Sequence, residues 1–185
     1  MGLITMIKKI KKERNEMKIL TIGLDNAGKT TILHKIFNKP ISRIPPTFGY
    51  QIYTLNYNSN KDYKITILDV GGQMVFRKYW SNYYENIDGI IFVYDITDKR
   101  SFKEYISEIR NEEANENMPL LIFANKIDLC TKEEEERYSK KIKTLGFDSS
   151  MTKIIPCSGL RGDNLNEGFD WLIERAIMSS NIRFI

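Results

Sequence analysis

The sequence predicts an α/β protein built on one mainly parallel sheet, with helices on both faces. Two observations predict it. The apolar runs KILTIG, GIIFVYD and PLLIFAN alternate with segments at helical spacing, and the latter two runs are continuous, the mark of strands covered on both sides. A glycine-rich motif, Gly23–Thr30, then follows the first run and opens the first helix, which is the strand–loop–helix context of a phosphate-binding loop. A chain of 185 residues has room for one such domain with a sizeable core.

The elements follow in order. After a polar link at Lys11–Met17, KILTIG is a short strand ending in Gly23, and TTILHKIF is a helix that stops before Pro40. YQIYTLNY and YKITILDV alternate as strands, with NSNKD as the turn between them. GIIFVYD, PLLIFAN and the weaker KIIPC complete six strands. Helices are expected at Arg100–Asn117, Lys132–Leu145 and Leu165–Ile177. The second carries Glu133–Glu136 early and Lys140, Lys141 and Lys143 late, which suits the helix dipole on a solvated face. No internal repeat is present. Ligands of such sheets bind at the carboxyl ends of the strands.

Composition excludes several classes. No apolar run approaches the roughly 18–20 residues of a transmembrane helix, and MGLITMI is too short for a secretory signal. Cys130 and Cys157 are too few for a disulfide framework, so a reducing, intracellular setting is expected. No cysteine near the C-terminus invites prenylation. Residues 1–18 hold six basic and two acidic residues, which accounts for the whole net charge of +4. A basic tail on a neutral body argues against nucleic acid as a partner of the body and points to an anionic surface met by the tail.

The chemistry sits at strand ends. In GLDNAGKT the backbone N–H groups of Leu24, Asp25, Asn26, Ala27 and Gly28, with the helix N-terminus, can wrap a phosphate chain. Lys29 places a charge on the terminal phosphates, and Thr30 offers a hydroxyl to Mg²⁺. In DVGGQ, Asp69 can reach Mg²⁺ through water, the Gly72 N–H can meet a γ-phosphate, and Gln73 can orient an attacking water. In NKID, the Asp128 carboxylate can accept both hydrogen bonds of the guanine N1–H and N2–H₂ edge, a pair that adenine lacks. Asn125 can bond N7 and tie this loop to the phosphate loop, while the Lys126 stem can cover the ring. In CSGL, Ser158 and the Gly159 N–H can reach the guanine O6. In isolation D-x-G-G is a plain turn and NKID an ordinary loop with an N-cap Asp. Downstream of a phosphate loop, in this order, they reinforce one another.

GLDNAGKTT, PPTFGY, LDVGGQ…RKYW, NKID and CSGL together resemble a small GTPase of the ADP-ribosylation-factor (Arf) family, over nearly the whole chain. MGLITMIKKIKK, GLDNAGKTTIL, LDVGGQ and LLIFANK look most like the Arf-like branch associated with tubulin-folding cofactors and carriers of lipidated proteins. The resemblance implies a Ras-like P-loop fold, with a mixed, mostly parallel six-stranded sheet over residues 18–185 and an N-terminal amphipathic helix and linker over 1–17. It implies a cytoplasmic, monomeric GTP-binding switch with slow GTP hydrolysis, needing Mg²⁺ and acting in trafficking or tubulin-related pathways. Its partners would be an exchange factor, a GTPase-activating protein and effectors. Thr47 would be the switch I threonine that closes on Mg²⁺ when GTP is bound, Met74–Trp80 would be switch II, and Thr31 would touch the α-phosphate. Asp25 stands where many GTPases carry Gly, as Arf-type proteins share. An arginine finger would come in trans, since no motif residue supplies one. Two rivals stand beside this reading: a P-loop ATPase or nucleotide kinase, which NKID opposes, and a nucleotide-binding carrier or scaffold with negligible turnover, which Gln73 opposes.

Three positions depart from the family pattern. Leu68 replaces a Trp of an aromatic patch whose other members match Tyr50 and Tyr83. Ile127 replaces Gln in N-K-Q-D. DITDKRSF is closer to the Ras or Rab style.

At the N-terminus, Leu3, Met6, Ile7 and Ile10 fall at i, i+3, i+4, i+7, giving one apolar helical face among lysines. Met6 stands where N-myristoylation wants Ser or Thr, which weighs against acylation of Gly2. Without an acyl chain, residues 2–12 would make only weak membrane contact. The resemblance implies that this helix lies in a groove of its own protein with GDP. GTP loading would then slide the hairpin Tyr50–Asp69 by about two residues into that groove and free the helix. A slip of two keeps every strand side chain on its own face.

Overall fold

The computed structural model describes residues 10–11, 13–58, 61–112, 115, 117–143 and 150–182. Its strands are β1 (Glu16–Gly23), β2 (Tyr50–Asn58), β3 (Asp62–Val70), β4 (Gly89–Asp95), β5 (Leu120–Asn125) and β6 (Thr152–Pro156). Its α-helices are α1 (Lys29–Ile36), α2 (Met74–Arg77), α3 (Lys103–Asn111), α4 (Lys132–Lys143) and α5 (Leu165–Ile182). One six-stranded sheet runs β2-β3-β1-β4-β5-β6. Only the β2–β3 pair is antiparallel, as a hairpin at the edge of an otherwise parallel sheet.

The continuous apolar runs become fully buried strands, because both faces of the sheet are covered. On one face Ile32 and Leu33 of α1, and Phe169, Leu172 and Ile173 of α5, pack on Ile19, Ile67, Ile91 and Phe123. On the other, Ile106 and Ile109 of α3 pack with Trp80 on Leu20, Leu68, Phe92 and Ile122. Leu68, the position of the missing Trp, is thus buried core, while Tyr50 and Tyr83 meet edge to face at 6.1 Å.

Several boundaries differ from the sequence reading. β1 begins at Glu16, so the polar link ends at Asn15 rather than Met17: Glu16 and Met17 pair with Lys64 and Ile65, and Met17 is buried. The helix expected from Arg100 begins at Lys103. Side chains capture the local backbone first, Asp95 accepting from Thr97 N–H and Asp98 from Arg100 N–H, which competes with helical bonding. The same helix ends at Asn111, because Arg110 turns back to the carbonyls of Asn115, Met118 and Met151. The last helix runs on to Ile182. Within NSNKD, Asn58 ends β2 and Asp62 begins β3, paired with each other. The expected helix end at Leu145, residues 59 and 60 of that turn, and Leu3, Met6 and Ile7 of the N-terminal stripe fall outside the described residues.

Ile10, Lys11 and Glu13 are helical, and Ile10 is exposed. Lys11 Nζ donates to Asn86 O at 2.6 Å and meets Asp88 at 3.3 Å, while Asp88 also accepts from the Lys18 N–H. The root of the N-terminal segment is therefore fixed at the entry to β4. No helix among the described residues is long and apolar enough to cross a membrane.

Candidate functional site

The carboxyl ends of β1, β3, β4, β5 and β6 bring their loops to one edge of the sheet. The register sets who meets whom: Thr21 lies beside Asp69, Gly23 beside Val93, Asp95 beside Asn125, and Ala124 beside Pro156. Leu24–Gly28 turns through left-handed backbone at Asn26 (φ 60°) and Gly28 (φ 89°) into the first turn of α1, which holds Lys29, Thr30 and Thr31.

Lys29 is buried, and its Nζ donates back to Gly23 O at 3.1 Å and Leu24 O at 2.9 Å. Burial pushes its pKa down to about 8, against the pull of Asp69. Asp69 is wholly buried, and desolvation raises its pKa despite Thr30 and Lys29. Thr30 Oγ1 donates to Asp69 Oδ2 at 2.6 Å and lies 2.8 Å from Thr47 Oγ1. Since the single Thr30 proton goes to Asp69, Thr47 donates to Thr30. Asp69 Oδ1 is buried with no hydrogen-bond partner among the described residues. Two hydroxyls and an unsatisfied carboxylate oxygen make a hard, all-oxygen donor set of the kind a small divalent cation takes beside phosphates.

Gly72, just past the end of β3, closes on this cluster. A Cβ there would lie 2.4 Å from both Gly23 O and Lys29 Nζ, so only glycine lets the backbone come this near. The Gly71 N–H donates to Gly49 O at 2.8 Å, which ties the segment carrying Thr47 to the segment carrying Gly72. Gln73 follows on the exposed rim and starts α2.

The other end is held by Asn125. Its buried side chain donates from Nδ2 to Ala27 O at 2.7 Å and accepts at Oδ1 from the Gly159 N–H at 2.8 Å. One amide therefore joins the phosphate loop, the end of β5 and the loop after β6. Ser158 Oγ donates to Asp128 Oδ1 at 2.5 Å and aims that carboxylate. Lys126 adopts left-handed backbone (φ 74°), and its Nζ pairs with Asp95 at 2.8 Å. Burial works against the Asp95 charge, but Lys126 and Thr97 outweigh it and hold its pKa below the usual range.

The structure thus brings Leu24–Thr31, Thr47, Asp69, Gly72 and Gln73 to one end of the groove, and Asn125, Lys126, Asp128, Ser158 and Gly159 to the other. The sequence reading did not single out four residues that also converge here: Asp95, Arg77, Arg100 and Tyr105. Asp95 carried a readable signal, a carboxylate at the end of a buried strand. Arg77 lies in RKYW and Arg100 in DITDKRSF, but the contacts of these two and of Tyr105 cross between distant segments, so no local pattern shows where they meet. Beside the site, Phe48, Tyr50, Ile52, Met74, Val75 and Tyr79 form exposed apolar surface, with Phe48 84% exposed and set edge to face on Phe76.

A lysine-bearing phosphate loop, a threonine pair beside a buried aspartate, and an Asn–Lys–x–Asp loop on a parallel sheet define a guanine-nucleotide-binding protein of the small GTPase fold. Residues 3–176 match the ADP-ribosylation factor family. The chain is 42% identical over 177 residues to ADP-ribosylation factor-like protein 2 of Dictyostelium discoideum, covering 94% of this chain and 95% of the relative. It is 43% identical over 178 residues to ADP-ribosylation factor-like protein 2 of Arabidopsis thaliana, with coverage of 94% and 95%. Among solved structures it resembles the Arl6 BBS3 small GTPase of Trypanosoma brucei with bound nucleotide analogue GppNp, at TM-score 0.67 and 34% identity, covering 87% of this chain and 97% of that one. This chain belongs to the ADP-ribosylation factor family, as an Arf-like small GTPase that binds guanine nucleotide and hydrolyses GTP.

Replacing Asn125 by Ala strands the Gly159 N–H and the Ala27 carbonyl without their partner. Two unsatisfied buried groups at about 1–3 kcal/mol each set the expected loss. Urea unfolding of Asn125→Ala should show a lower midpoint with an unchanged slope. An unchanged midpoint would remove Asn125 as the tie between the loops.

Proposed function

We propose that this chain is a Mg²⁺-dependent GTP switch whose phosphate end is read by Lys29, Thr30, Thr47, Asp69 and Gly72, and whose base end is read by Asn125, Lys126, Asp128, Ser158 and Gly159. The observation that carries this reading is the convergence of Thr30, Thr47 and Asp69. Thr47 belongs to a loop and Asp69 to the edge hairpin, so their meeting at Thr30 joins two segments that GTP would order together. Thr30 and Thr47 would hold the ion directly and Asp69 through water. When bound, the ion would neutralise charge on the terminal phosphates.

Lys29 then sits on the terminal phosphates, where its buried charge gains counter-charge beyond the pull of Asp69. The N–H groups of Leu24–Gly28 cradle the phosphate chain, Thr31 contacts its α end, and the Gly72 N–H meets the γ-phosphate. From the exposed rim, Gln73 orients the water that attacks in line. Asp128 selects guanine over adenine, and the stem of Lys126, steadied by Asp95, covers the ring. The exposed apolar surface from Phe48 to Tyr79 spans both switch segments, which suits effectors that sense the GTP state. Exchange and activating proteins act at the same edge on a monomer, in trafficking or tubulin-related pathways.

Coupling to the N-terminus follows from β3. It pairs with β1 from Glu16 to Thr21, so it connects the nucleotide edge to the opposite edge, where Lys11 is anchored. A two-residue advance of the β2–β3 hairpin on GTP loading would reach both ends at once. The chain would work in the cytoplasm, with residues 2–12 contacting membranes in the GTP state.

Three experiments test this. Thr30→Asn should lose Mg²⁺-dependent GTP affinity and favour GDP; GTP binding like wild type would sink the metal assignment. Gln73→Leu should slow activator-stimulated hydrolysis by about a hundredfold, and unchanged single-turnover rates would exclude Gln73 from the chemistry. Flotation with anionic liposomes should require a slowly hydrolysed GTP analogue. Equal behaviour with GDP would refute the gated membrane contact.

A further inference from the structure

Arg77 of α2 stands where three segments meet. Its Nε donates to Gly72 O at 3.0 Å, one terminal nitrogen donates to the Tyr105 hydroxyl at 2.7 Å, and the other donates to Asp25 Oδ1 at 2.5 Å. The side chain is only 11% exposed, and its guanidinium carbon lies 5.5 Å from the centre of the Tyr105 ring. Asp25 Oδ1 also accepts from Arg100 at 2.7 Å, and Arg100 donates to Asp25 O at 3.3 Å. Asp98 grips the same Arg100 guanidinium at 2.8 and 2.6 Å. Asp25 belongs to the phosphate loop, Arg100 to the loop after β4, and Tyr105 to α3. None of the three is on the β2–β3 hairpin.

We propose that Arg77 is a positioning residue that latches the hairpin in the GTP register by clamping Gly72 O to Asp25 and Tyr105. The inference rests on the sliding hairpin proposed above and adds the contact that tells the two registers apart.

A slip of two residues carries Gly72 about 6.6 Å along the strand direction. A 3.0 Å hydrogen bond from Arg77 to Gly72 O, with the same guanidinium still on Asp25 and Tyr105, cannot survive that displacement. The three-way contact therefore exists in one register only. Arg100 and Asp98 lie outside the hairpin, so Asp25 stays oriented toward Arg77 whichever register is occupied. A contact made in one state and absent in the other shifts the equilibrium toward the first. Here that state is the one with Gly72 against Lys29, where a γ-phosphate would be met. Arginine is needed because three donors leave one rigid plane in fixed directions, which an ammonium cannot reproduce.

The test uses the full chain and compares affinity for fluorescent GDP with affinity for a non-hydrolysable GTP analogue. Arg77→Gln should weaken the analogue about tenfold, the loss of a charge-assisted hydrogen bond, and leave GDP affinity unchanged. Arg77→Lys should not rescue the analogue. Tyr105→Phe, which removes one hydroxyl, should cost the analogue about two- to threefold. Combining Asp25→Asn with Arg77→Gln should weaken the analogue no further than Arg77→Gln alone, because both remove one contact. Equal weakening of both nucleotides, an unaffected analogue, or full rescue by lysine would overturn the latch. Hydrogen exchange across Tyr50–Val70 in the wild type separates the two failures. Without a nucleotide-dependent change there, the sliding hairpin fails and the latch with it. If a change is present while Arg77→Gln acts on neither nucleotide or on both equally, the latch alone fails.

Discussion

The pairing of β3 with β1 is the constraint on which the phosphate end depends. Thr21 opposite Asp69 puts the Asp69 carboxylate against Thr30, brings Gly72 to Lys29, and lets Gly71 bind Gly49 so that Thr47 comes in. A shift by one residue would turn Ile65 and Ile67 to the wrong face and break both cores, so only even displacements are accessible. The edge position makes such a displacement feasible: β3 has the rigid sheet on one side and only β2 on the other.

The two ends of the groove differ in how they are held. The base end is pre-built, since the Asn125 amide satisfies a carbonyl from one loop and an N–H from another, and Ser158 fixes Asp128. The phosphate end is electrostatically unfinished. Lys29 and Asp69 are both buried, both shifted toward their neutral forms, and Asp69 retains an unpaired oxygen. On the proposed Mg²⁺-dependent reading, a polyphosphate and a cation would complete that end, which would make its geometry sensitive to what is bound. A rigid base end and a conditional phosphate end together make a protein that holds guanine nucleotide in either state but responds to the third phosphate.

Much of this was legible in the sequence. Continuous apolar runs marked GIIFVYD and PLLIFAN as buried strands, and the spacing of Gly23, Gly28, Lys29 and Thr30 fixed a strand–loop–helix phosphate loop. Other features were not legible, for identifiable reasons. The start of β1 at Glu16 depended on Lys64 and Ile65 being opposite. The late start of α3 depended on Asp95 and Asp98 capturing backbone N–H groups before a helix could form. Leu68, a departure from the family pattern, proved to be core rather than surface, because its strand partner Leu20 faces the same apolar cluster.

The sequence by itself determined the chemistry of each loop and the order of strands and helices, because residue type and periodicity act locally. Tertiary structure decided which loops share a site and which arginines reach it. Asp25 meets Arg77 and Arg100 across separations of 52 and 75 residues. No local pattern encodes such a meeting. It exists because parallel strands deliver all their carboxyl ends to one edge, and because a guanidinium can bridge several acceptors once the sheet has fixed where they lie.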